Sequence, residues 1–160
     1  MEIRDLELHD SEALFDLVRE VYDDTPMSMW FVDRPVREAF TPVFDWKMNG
    51  ISAGRMVDIV AVEGDAIIGE CEVVLHEGGV GMLGLIVSKN HRKGGIGSAL
   101  LRDAVGRARG MGIRKLGADV ARGNRDAIEF LSRRGFRATE GARTETASGT
   151  GNVLRMFKDT

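Results

Sequence analysis

One cysteine in 160 residues, Cys71, rules out an intrachain disulfide, and three histidines with no second cysteine leave nothing to build a zinc site around it. A reducing compartment and no metal are the expectation. The N-terminus carries Glu2 and Arg4, and no apolar run is long enough for a signal sequence or a membrane span. That points to a cytoplasmic protein with no membrane partner. There is no internal repeat, low-complexity tract or linker, and 43% hydrophobic against 29% charged residues excludes a disordered chain. The length suits a single domain, residues 1–160, with a real core.

Net charge is also low, at −3, but the charges are unevenly placed. Residues 1–88 hold 6 Lys/Arg and 18 Asp/Glu, a net −12, whereas residues 89–160 hold 16 and 7, a net +9. The basic half should meet something anionic.

The order of elements reads as a mixed α/β fold. Ile3 to Leu8 reads as a first strand, and Asp10 as the cap of a helix through Tyr22 with Leu14, Leu17, Val18 and Val21 on one face. Between Asp23 and Gly54 one or two short helices are expected, because Pro42 should kink or split a helix there. Val57 to Val62, Ala66 to Leu75 and Val80 to Val87 form three successive antiparallel strands joined by glycine turns. A helix follows from Ile96 to Met111, then a strand from Lys115 to Val120. Asn124 caps a helix stopped by Gly135, and Phe136 to Arg143 pairs with Val153 to Lys158 around a loop at residues 146–151.

The sharpest motif is Arg92-Lys93-Gly94-Gly95-Ile96-Gly97-Ser98, set between a strand and a helix. Glycines there let successive N–H groups converge on one point, and the helix start adds unpaired donors and a positive dipole end. A phosphate or pyrophosphate is the natural guest. A Walker loop would need Gly-Lys-Ser/Thr at its end, and a dinucleotide fingerprint a glycine where Leu100 stands after a parallel strand. Neither fits. A plain glycine-rich turn with solvated basic residues is the bland alternative.

Arg92, Gly95 and Gly97 satisfy Arg/Gln-x-x-Gly-x-Gly/Ala in strand-loop-helix context, and here the sequence resembles the GNAT superfamily of N-acetyltransferases. Asn124, Ala127, Phe130 and Gly135-Phe136 are similar to that family's second motif. The resemblance implies a largely antiparallel sheet with flanking helices and acetyl-CoA as co-substrate. It also implies pyrophosphate binding by residues Arg92, Lys93, Gly94, Gly95, Ile96, Gly97 and Ser98. The preceding strand would bulge and splay, freeing Leu85, Ile86 and Val87 for pantetheine, with one amide facing the developing oxyanion. Asn124 would cap its helix and, on the family's pattern, contact pantetheine, a cap alone being the alternative, with Phe130 in the same motif.

Acetyl transfer needs a neutral amine, so a base must take a proton from a group whose pKa is about 10.4 for a lysine-like amine. Asp119 is the first candidate, since it interrupts an apolar strand and its place five residues before Asn124 is similar to that of the acidic residue in ribosomal-protein acetyltransferases. Pairing with an arginine is the alternative. Glu72 and Glu70 share one strand face with Val74 and His76, and either could serve or simply be solvated. Cys71 points the other way, into the core. One departure stands out: Leu131 occupies the position after the motif phenylalanine where the family often has an acidifying tyrosine, and the only tyrosine, Tyr22, lies far off in the chain.

The segment from Asp23 to Trp46 holds Trp30, Phe31, Phe40, Phe44 and Trp46 beside Asp23, Asp24, Asp33 and Asp45. It reads either as an amine-acceptor wall or as core aromatics with solvated acids. The functional expectation is direct acetyl transfer to a primary amine in a ternary complex, the amine being a small molecule or a protein N-terminus or lysine, with a homodimer possible. A catalytically weak acyl-CoA sensor is one rival. A nucleic-acid binder using residues 89–115, with eight Lys/Arg and one acid, is the other.

Overall fold

The computed structural model describes residues 1–24, 33–144 and 153–160. Seven strands form one sheet in the order β1-β2-β3-β4-β5-β7-β6. They are β1 (Glu2–Asp5), β2 (Met56–Glu63), β3 (Ala66–His76), β4 (Val80–Val87), β5 (Lys115–Ala121), β6 (Arg137–Thr144) and β7 (Val153–Asp159). Among the described residues four α-helices flank it: α1 (Ser11–Asp24), α2 (Arg37–Ser52), α3 (Ile96–Gly110) and α4 (Arg125–Arg133). Every pairing is antiparallel except β4 with β5. The mixed, largely antiparallel α/β class expected from the sequence is the one observed.

Period-2 alternation along the central strands sends their side chains to two cores. Ile59, Cys71, Val73 and Leu116 pack under α3 with Leu100 and Ala104. Val60 and Ile67 pack under α1 and α2 with Leu14, Val18, Phe40 and Phe44. Each buried phenylalanine contributes about 1.5–3 kcal/mol, so Phe40 and Phe44 hold α2 on the sheet.

Three local expectations change. The first strand ends at Asp5 because Leu8–Asp10 forms a 3-10 turn, and the Asp10 carboxylate turns back to the Glu7 N–H at 2.8 Å and to both Arg4 nitrogens instead of capping α1. Burial opposes the Asp10 charge, but the Arg4 hydrogen bonds outweigh it and hold the carboxyl below its usual range. Second, α2 is one continuous helix with Pro42 inside it. Only one backbone donor is lost there, and the packing of Phe40 and Phe44 on either side retains the helix. Third, β4 keeps unbroken register with β3 from His76↔Val80 to Gly69↔Val87, so it carries no bulge.

The splay is nevertheless present. β4 pairs with β5 only from Val80↔Lys115 to Met82↔Gly117, and from Leu83 to Val87 it has no β5 partner. The sheet therefore opens beside the start of α3.

Candidate active site

The glycine-rich segment turns sharply where the sequence requires it. Lys93 has φ +63° and Gly95 φ +89°, both left-handed; only at Gly95 does the missing side chain make this free of steric cost, and Gly95 is the N-cap of α3 with no side-chain cap. The first intrahelical bond runs from the Ala99 N–H to the Gly95 carbonyl at 3.0 Å. The N–H groups of Ile96, Gly97 and Ser98 precede it, and with the helix dipole they form an anion cradle. Gly97 keeps this mouth open against α4: a Cβ there would already touch the Phe130 ring at 3.4 Å.

Side chains brace the loop from α1, a role the sequence did not disclose. Arg92 donates from Nε to the Val87 carbonyl at 3.1 Å and from Nη1 to Asp24 at 2.5 Å. Glu20 accepts from the Ser88 hydroxyl at 3.1 Å and the Lys89 N–H at 3.0 Å. Arg92 is thus a strut of the loop as well as a charge beside it. The last turns of α1 are therefore next to the cradle, and helical spacing puts Tyr22 on the side away from Glu20 and Asp24.

A groove of about 610 Å³ continues from Ser98 between α3 and the end of α4. Arg102, Arg109, Arg133, Arg134 and Lys158 line it, with no carboxylate. Arg134 stacks 3.6 Å from the Phe130 ring centroid, donates to the Phe130 carbonyl at 2.9 Å and bonds the Ser98 hydroxyl. Burial, then the neighbouring Arg133, lowers its pKa from the usual arginine value. The +9 of the second half signalled these cations, but only folding brings Arg134 and Lys158 to Ser98.

Along the opening, backbone groups alternate in direction. The Ser88 N–H bonds Ile68 of β3 at 2.8 Å, whereas the Val87 carbonyl takes the Arg92 bond. By that alternation Leu83, Leu85 and Val87 present main-chain groups to the gap, while Ile86 faces β3 and packs toward the α1–α2 core. Of the three strand residues expected to line the gap, Leu85 and Val87 face it; Leu83, not singled out from sequence, joins them.

The expected choice between catalytic and solvated Glu70 and Glu72 meets a different arrangement: both are buried, because α2 covers that strand face. Lys47 of α2 reaches down with Nζ 2.9 Å from Asp58 Oδ2, 2.7 Å from Glu70 Oε1 and 2.5 Å from Glu72 Oε2. The Lys47 side chain is only 7% exposed. Ligand oxygens of Asp58, Glu70 and Glu72 lie within 4.8 Å of one another, and the ammonium takes the place a cation would need. Burial and then Glu70 push the Asp58 carboxyl well up. Burial also raises Glu72, although Lys47 opposes it. For Lys47 burial disfavours the charge, but the three carboxylates prevail and raise its pKa well above the usual value.

Asp119 is placed otherwise than a costly buried carboxylate would be. It is 36% exposed and accepts two bonds from its cross-strand partner Arg155, at 2.7 and 3.0 Å. Asn124 caps α4, accepting from the Ala127 N–H at 3.2 Å. Leu131 and Cys71 are core residues, and burial pushes the Cys71 thiol well up. In the acceptor segment Phe40 and Phe44 are core and Trp46 is exposed on α2. Asp23 pairs with Arg34, and Trp30 and Phe31 lie outside the described residues.

A parted β4–β5 pair beside a glycine-capped helix start fits the acyl-CoA transferase fold that the sequence resemblance implies. Residues 14–136 match the model of the Acetyltransferase (GNAT) family, and the chain belongs to that family. It is an acetyltransferase by that membership. Among solved structures it is similar to ribosomal-protein-alanine N-acetyltransferase from Brucella melitensis, with TM-score 0.83, 23% identity and 100% of both chains covered. PaiA N-acetyltransferase from Thermoplasma acidophilum, solved with coenzyme A, has TM-score 0.78 and 20% identity over 99% of this chain and 98% of its own. Phosphinothricin acetyltransferase from Sinorhizobium meliloti, solved with acetyl-CoA, has TM-score 0.79 and 18% identity over 99% and 87%. At these identities the likeness is one of fold. No curated protein matches the sequence. Among the described residues no helix is long and apolar enough to cross a membrane.

Proposed function

We propose that the protein moves the acetyl group of acetyl-CoA directly to a primary amine while both are bound. The observation that carries this is the free helix start at Ile96, Gly97 and Ser98, set beside the unpaired edge of β4. The cradle suits a pyrophosphate, the five-cation groove suits the further phosphate of CoA, and the gap suits a pantetheine arm pairing with Leu83, Leu85 and Val87. Asn124 can contact the same arm while capping α4.

In the gap the amine nitrogen attacks the thioester carbonyl, the N–C bond forms, and the C–S bond breaks to release the CoA thiolate. An N–H of the open edge, best placed at Leu85, faces the oxygen as charge develops on it. Before attack the ammonium form of the amine gives one proton through a water to Glu72, and the proton that the nitrogen sheds on attack goes to the leaving thiolate. Glu72 serves better than Asp119, because burial raises its carboxyl toward working pH and because Asp119 is engaged by Arg155. A cationic amine also suits a face whose buried carboxylates outnumber their single lysine.

Direct transfer needs no acetyl-enzyme, and the one cysteine is buried with its thiol pushed up. Mass spectrometry of the protein held with acetyl-CoA alone is expected to show no covalent acetyl group. An adduct that a later amine removes would overturn direct transfer. A sensor of acyl-CoA is the second reading, favoured by Leu131, a buried core residue where a tyrosine would supply the leaving thiolate with a proton. Binding of acetyl-CoA without thiol release by any amine would favour it.

A further inference from the structure

The Lys47 cluster holds three carboxyl groups to one ammonium, and its charge count has a consequence. With all three ionised the buried group would carry −2, and with one proton it carries −1. A second proton makes it neutral. Burial at 7% side-chain exposure or less for Lys47, Asp58 and Glu72 favours the states of least charge.

The geometry says where the first proton sits. Each Lys47 N–H has one acceptor, so the ammonium is fully bonded. Asp58 Oδ1 is buried and has no hydrogen-bond partner as a carboxylate oxygen. A proton on Asp58 gives this side chain a donor, and a hydrogen bond with Glu70 is among the causes that raise its carboxyl, after burial and the charge of Glu70. Glu72 is then left as the ionised member, held at Oε2 by Lys47, with Oε1 lying against Gly84 of β4 one residue beyond where the gap begins.

We propose that Asp58, Glu70 and Lys47 are positioning residues that keep one proton stored behind Glu72, so that Glu72 accepts the amine proton in a step that takes the cluster from −1 to neutral. The step balances: the ammonium substrate gives one proton to Glu72, the free amine attacks, and the proton that the nitrogen sheds as the C–S bond breaks goes to the leaving thiolate. Release to water after product departure restores the starting state. This rests on Glu72 as the base. Among the described residues, the charges that act most on the cluster are its own: Lys47 from α2, Asp58 from β2, and Glu70 and Glu72 from β3. β4 contributes Gly84 and Ile86, and α1 packs there through Leu14, Leu17, Val18 and Val21, none of them charged.

Two measurements test it. Carbon-detected NMR of the side-chain carboxyl groups in the wild-type protein, with no substrate, is expected to show one protonated carboxyl among Asp58, Glu70 and Glu72 at neutral pH. Three ionised carboxylates would overturn the stored proton whatever Glu72 does. The pH profile of kcat/KM is the second. Asp58→Asn presents an amide that accepts from Lys47 and donates to Glu70, and by removing the stored proton's ionisable group it should keep the cluster at −1. Lys47→Met removes the cation and should move the acid limb upward by about one pH unit or more, while Asp58→Asn should leave the limb within a few tenths of a unit. If both variants only lower kcat with the acid limb fixed, the cluster is structural and the proposal fails. Glu72→Gln separates the underlying reading: retained turnover with an unchanged profile removes Glu72 as base while the NMR count stands on its own.

Discussion

Glu72 of β3 lies directly over Gly84, its partner on β4, so closely that a Cβ at position 84 would stand 3.2 Å from both Cγ and Oε1 of the glutamate. The absence of a side chain at 84 is what lets the carboxyl reach the edge of the sheet opening. Gly84→Ala should therefore displace Glu72 by a few tenths of an ångström and lower kcat about tenfold, with the affinity for acetyl-CoA unchanged. Steady-state kinetics beside calorimetry check this, and an equal loss of both would move the effect to the cofactor side.

The cradle predicts the opposite split. Gly95→Val forces a β-branched residue to φ +89°, at a cost of about 1–3 kcal/mol, and Gly97→Leu fills the mouth beside Phe130. Each should weaken acetyl-CoA binding at least about tenfold, or 1.4 kcal/mol. Circular dichroism should show the fold retained. Wild-type affinity in Gly97→Leu would contradict the cradle.

The Asp119–Arg155 pair is half exposed and bidentate. Exposed pairs contribute about 0–1 kcal/mol, so Asp119→Asn should leave both stability and the pH profile of turnover nearly as they are. Loss of the acid limb in this variant, with Glu72→Gln unaffected, would return the base to Asp119.

Two buried aspartates give stability slopes of opposite sign. Asp10 has a depressed folded pKa, through Arg4 against the effect of burial, so its contribution is present above the unfolded value of about 3.9 and is lost as pH falls through the folded one. Asp58 has a raised folded pKa, so the fold binds more protons than the unfolded chain and stability falls as pH rises from about 4 toward that value. Asp10→Ala should cost about 1–3 kcal/mol near neutrality. Asp58→Asn should flatten that fall, measured by denaturant titration across pH.

The strands were legible because β2, β3 and β4 alternate apolar residues between two turns, and the cradle because glycines at 94, 95 and 97 permit a left-handed turn and a close backbone approach that other residues resist. The buried ion cluster was not. Alternation places Glu70 and Glu72 on one face, but whether that face meets water depends on α2, and Lys47 comes from 23 and 25 residues away in the chain. Pro42 argued locally for a broken helix, and two phenylalanines anchored in the core outweighed it. Likewise Asp119 looked isolated in its strand until β7 brought Arg155 opposite.

The central claim is acetyl transfer from acetyl-CoA to an amine, and quantitative mass spectrometry of a panel of primary amines incubated with acetyl-CoA and the protein tests it most directly. The expected result is at least one acetylated amine formed in equal amount with free CoA, at a rate that Glu72→Gln lowers. Acetyl-CoA binding with neither acetylated amine nor free CoA above the uncatalysed level, for peptides and small amines alike, would contradict it.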